Sequence, residues 1–104
     1  MEKTITIGGK DILLKSTGAT AIKYKSQFQR DYFQDVDKLL APKPDDPFEA
    51  EIIFNMAWIL AKTADPQLKE MESWLEEFDE FPIYDVLSDI GPLIISTIKS
   101  TKKK

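Results

Sequence analysis

Histidine and cysteine are both missing from this chain. Without cysteine there is no disulfide, no thiolate metal site and no thiol nucleophile. Without histidine, the commonest general base near neutral pH and the commonest metal ligand are missing too. Glycine is scarce, four residues in 104, and two of the four are adjacent at Gly8 and Gly9. Long apolar runs are also lacking. The richest stretches, Ile52–Ala61 and Pro92–Ile98, fall short of the roughly 20 residues that span a bilayer and carry polar interruptions. The opening MEKTITIGGK has no apolar secretion-signal core, so a cytosolic protein with no membrane contact is expected.

What remains has globular character. Hydrophobic residues make up 42% of the chain and charged residues 31%, enough apolar material for a core. A chain of 104 residues fits a single domain that buries roughly two-thirds of its unfolded surface. The domain is expected over 1–98, with a hairpin over 1–15 and a flexible lysine-rich tail over 99–104. Net charge is −4, unevenly spread. Residues 1–40 carry seven basic and five acidic side chains, whereas residues 65–89 carry nine acidic ones against Lys69 alone. Acidic surface repels phosphates, so no nucleic-acid partner is expected.

The pattern along the chain predicts an α+β, mainly α fold: an N-terminal β-hairpin packed on about four helices. Thr4-Ile5-Thr6-Ile7 alternates polar and apolar as a half-buried strand does, and Gly8-Gly9 suits a two-residue turn before Ile12-Leu13-Leu14. Ser16 or Thr17 is the predicted N-cap of a helix over about 18–40 with a break near Asp31. Its inward stripe is Ala21, Tyr24, Phe28, Tyr32, Val36 and Leu39. Three prolines then mark APKPDDPF as a linker. Asp46 at N-cap, Pro47 at N1 and Glu49 at N3 predict a helix start there. The stretch from Phe48 to Ala64 is apolar on nearly every side in its second half, which predicts the central helix. Asp65-Pro66 predicts a third helix to about Asp79, and Pro82 a fourth that Gly91-Pro92 would kink.

Two constellations stand out. Glu70 to Asp89 is acidic, but its residues sit on no glycine-turned calcium loop, so a solvated helix face competes with a docking surface for a basic partner. Trp74, Phe78 and Phe81 flank Glu76, Glu77, Asp79 and Glu80, the composition of an interface centre with a polar rim. Core packing beside the fourth helix is the competing reading for these aromatics. Gly8-Gly9-Lys10 lacks the remainder of a phosphate loop. No catalytic residue, metal site or cofactor is indicated, so the chain is expected to act by binding rather than by catalysis.

Four segments, TITIGGKDILLKSTGAT (Thr4 to Thr20), YKSQFQRD (Tyr24 to Asp31), FNMAWILAKTADP (Phe54 to Pro66) and WLEEFDEFPIYDVL (Trp74 to Leu87), give a further pointer. In this order the chain resembles the tail assembly chaperones of long-tailed phages and prophages of Gram-positive bacteria. The resemblance implies a non-enzymatic chaperone that binds the tape measure protein, a long helical client, and keeps it soluble until the tail tube protein polymerises around it. It also implies absence from the finished virion. A longer form, made by reading-frame slippage, would recruit the major tail tube protein. Wrapping a long client calls for many copies, so a homo-oligomer is expected as well. The rival reading is an acidic inhibitor that mimics DNA and blocks a host nuclease.

Overall fold

The computed structural model describes residues 1–99. The expected lysine tail therefore lies outside the described residues except for Lys99. Seven elements follow in order: β1 (Glu2–Ile7), β2 (Lys10–Lys15), α1 (Thr20–Phe28), α2 (Tyr32–Leu40), α3 (Ala50–Ala64), α4 (Met71–Leu75) and α5 (Ile83–Ile98). This is an α+β, mainly α fold with an N-terminal hairpin, as its sequence pattern predicts.

The hairpin pairs antiparallel with Ile5 opposite Ile12 and Ile7 opposite Lys10. Gly8 and Gly9 both take positive φ, 55° and 84°, the backbone that matches a tight turn to the strand twist. Ile5, Ile7 and Leu14 point into the core, while Thr4 and Thr6 face solvent. The inward face rests mainly on α3 through β2, and β1 reaches α5.

α3 is the central helix. Nine of its 15 residues are buried, from Ile52 to Ala61, and it touches the hairpin and every other helix. A helix surrounded by neighbours has no polar face to keep, which is why its sequence reads apolar all round. Its buried Asn55 is the exception, and no buried side-chain polar atom among the described residues lacks a hydrogen-bond partner.

The predicted helix over 18–40 is two helices. Gln29 adopts φ 58°, ending α1, and Asp31 restarts the chain by accepting a hydrogen bond from the Gln34 N–H at 2.9 Å as the N-cap of α2. At the front of α1, Thr17 Oγ1 accepts from the Ala19 N–H and Thr20 Oγ1 accepts from the Thr17 N–H, while Ala19 is the N-cap. Ser16 is instead buried, its hydroxyl 3.1 Å from that of Ser96.

Two helix starts need correction. α3 begins at Ala50, not beside Pro47, because the Glu49 carboxylate is held by Arg30 and Lys38 and its backbone stays extended. The third predicted helix shrinks to the five residues of α4. Trp58 Nε1 donates to the Lys69 carbonyl at 3.0 Å and Lys62 Nζ to the Leu68 carbonyl at 2.8 Å. Those carbonyls are the acceptors that a helix running on from Pro66 would use for its own ladder. Asp65 makes a turn there, accepting from the Gln67 N–H. α5 runs unbroken through Pro92, where a kink is predicted.

Candidate protein-binding surface

Charge organises one end of the core. The Tyr24 hydroxyl donates to Asp35 at 2.6 Å, and the Arg30 guanidinium grips the same carboxylate through Nε at 2.7 Å and Nη2 at 3.0 Å. Arg30 also reaches Glu49, which Lys38 holds at 2.9 Å. Burial alone would raise the Asp35 pKa, but the hydrogen bonds from Arg30 and Tyr24, with the charges of Arg30 and Lys38, bring it below the usual aspartate value. Burial, followed by the bond to Asp35, pushes the Tyr24 phenol well above its ordinary range. This network clasps α1, α2 and the start of α3. Its acidic members are paired and its phenol is a stable donor, so its chemistry is structural.

The predicted aromatic anchors lie elsewhere. Trp74 is 2% exposed and Phe78 9%, and both belong to the core. With half-buried Phe81 they form an edge-to-face triangle, ring centroids 5.2, 5.7 and 6.1 Å apart, and Phe81 leans on Phe54 of α3. The sequence expectation of a surface cluster is corrected on this point: Trp74 on α4 and Phe78 and Phe81 in the segment after it turn their rings toward one another and toward the apolar wall of α3 instead of solvent. Of the two readings open for these aromatics, burial favours core packing for Trp74 and Phe78. Glu76, Glu77, Asp79 and Glu80 are exposed as a rim would be, but no exposed aromatic stands at their centre. Glu77 is paired with Lys69, which lowers its pKa.

The uncovered apolar surface is on the opposite choice of residues. Ile22 of α1 is 73% exposed and Phe33 of α2 is 52% exposed. Ile22 stands between two hollows. One, of about 450 Å³, runs between α1 and α3 and is lined by Ile22, Trp58, Ile59, Thr63 and Pro66 with Lys23 and Lys62. The other lies between α1 and α2, where Ala21, Tyr32 and Phe33 meet Lys25 and Asp31. A third hollow continues past Ala21 and Phe33 toward Ser96 and Thr97. Ile22 and Phe33 are off the inward stripe of the predicted helix. Two large apolar residues left over on its polar side were the available signal for this face.

A second exposed pair, Phe48 and Tyr84, packs ring against ring with centroids 5.6 Å apart. Among the described residues no group of three or more acidic side chains is gathered as a metal site would require, and no helix is long and apolar enough to cross a membrane.

No protein-family model matches the chain, and no curated protein or solved structure matches it either.

Proposed function

We propose that this chain is a non-enzymatic assembly chaperone of the phage-tail type, which binds the tape measure protein and keeps it soluble while the tail tube forms. The reading rests on the four resembling segments together with one structural observation: a continuous apolar surface around Ile22 and Phe33 that nothing else in the described chain covers. A contiguous apolar patch on a small, charged protein marks an interaction surface. The four segments build the hairpin, the Arg30 clasp, the central helix and the aromatic triangle. They specify a scaffold for binding.

In this role the chaperone works in the host cytosol, stays out of the finished virion and, through a longer form, recruits the major tail tube protein. The acids of 65–89 keep a complex with an apolar client soluble. They also occupy one segment rather than a phosphate-like array, which weighs against a DNA-mimicking nuclease inhibitor.

The test is co-expression with the tape measure protein of the same gene cluster. The expected result is that the client moves into the soluble fraction and co-purifies with the chain. A client that stays insoluble, or that elutes separately, overturns the reading.

A further inference from the structure

We infer that the Ile22 face is the docking site for an amphipathic helix whose apolar stripe is flanked by acidic side chains. The inference rests on the chaperone reading for the identity of the client and goes beyond it by naming the surface and the charge it selects.

Charge complementarity carries the argument. The protein is acidic, with net charge −4. Yet the two hollows that meet at Ile22 are bordered by Lys23, Lys25 and Lys62, with Asp31 as the one acid lining them. Lys23 and Lys25 are exposed and make no ion pair among the described residues. Lys62 lies over the Trp58 ring, 5.9 Å from its centroid, and donates to the Leu68 carbonyl, which holds its charge at the groove edge. A ligand that buries Ile22 brings its own flanks against these ammonium groups. Acidic flanks are attracted there and basic flanks repelled.

The walls of the groove select the ligand's backbone. Apart from Pro66 at one end, they are side chains of α1 and α3, helices whose N–H and C=O groups are largely used within each helix. An extended segment would lay unpaired backbone groups on this surface, whereas a helix arrives with its backbone already bonded. Its apolar ridge would fit between α1 and α3 as helix ridges fit grooves.

The probe is a pair of synthetic 21-residue peptides sharing one leucine stripe at three- and four-residue spacing, flanked by glutamates in one and lysines in the other. Calorimetric titration onto the full chain should give the glutamate peptide an affinity about tenfold or more above the lysine peptide at low salt. Amide and Trp58 indole resonances should shift around Ile22, Phe33 and Thr63. Ile22→Glu and, separately, Lys23→Glu should each weaken the glutamate peptide at least tenfold while leaving the circular dichroism spectrum and melting unchanged, since both side chains are exposed. Equal affinity for the two peptides, shifts confined to residues 70–89, or a dimer that Ile22→Glu converts to monomer would each overturn the inference.

Co-expression separates the two claims. If the tape measure protein still co-purifies with Ile22→Glu and Lys23→Glu, the docking assignment fails and the chaperone reading stands. If the wild-type chain fails to hold that client but binds the glutamate peptide at Ile22, the chaperone reading fails and the docking site stands.

Discussion

Asp35 is a carboxylate with its side chain 4% exposed, and three donor atoms from two side chains hold it. Replacing it by asparagine leaves Arg30 only the longer contact to Glu49 at 3.4 Å and costs about 2–3 kcal/mol of stability, measured by denaturant unfolding at pH 7. The sign of its pH dependence follows from its lowered pKa. Folding favours the ionised form, so the contribution is fully present above the unfolded aspartate value, roughly 3.9, and is lost as pH falls through the folded value. Wild type should therefore lose more stability between pH 5 and pH 2 than Asp35→Asn does, and parallel acid limbs would refute the assignment. Gly8 offers a second residue-scale test. A Cβ there would sit 2.8 Å from the Glu80 carbonyl oxygen, on a backbone at φ 55°, whereas Gly9 at φ 84° has open space around it. Gly8→Ala should cost about 2–3 kcal/mol and Gly9→Ala about 1 kcal/mol in the same unfolding measurement. Equal losses would mean that the turn does not press on the Glu80 backbone.

At the scale of elements, Pro92 is the odd member of α5. Inside a helix it supplies no N–H to the Ser88 carbonyl, and its ring crowds that carbonyl. Because Pro92 is exposed, replacing it with alanine sacrifices no core packing. Pro92→Ala should raise stability by about 1–2 kcal/mol after allowing for the looser unfolded chain, seen as a melting temperature several degrees higher. The elements also show which signals a sequence carries. The hairpin was legible because its turn is written in two adjacent glycines and its faces in simple alternation. α3 was legible because burial on all sides leaves an unmistakable composition. The start of α3 and the length of α4 were not. Asp46-Pro47 and Asp65-Pro66 are local signals, and they lose to distant partners: Arg30 and Lys38 acting on Glu49, Trp58 and Lys62 on the carbonyls after Pro66. Trp74 and Phe78, set among acids, fit either an interface centre or the core by composition, and only tertiary packing shows that their rings turn inward. Ile22 and Phe33 were readable as apolar residues on the polar side of their helices.

At the scale of the molecule, composition leaves neither imidazole nor thiol to titrate near neutrality. The melting temperature should change by no more than about 2 °C between pH 5.5 and pH 7.5, and a steeper change would point to an ionisable group outside the Asp35 network. Charge is segregated in the same body, with lysines at the Ile22 face and acids over 65–89.

The last turns of α5 have one more consequence. Lys3 Nζ donates to the Asp89 carbonyl at 3.0 Å, the Ser16 and Ser96 hydroxyls meet at 3.1 Å, and Tyr32 bonds to Thr97 at 2.8 Å, while Leu93 and Ile94 fill the core. β1 and α5 are thus fastened to each other across 86 residues of sequence. Closing so long a loop costs chain entropy that these contacts and the shared core must offset, so a change that loosens the end of α5 frees the opening strand as well.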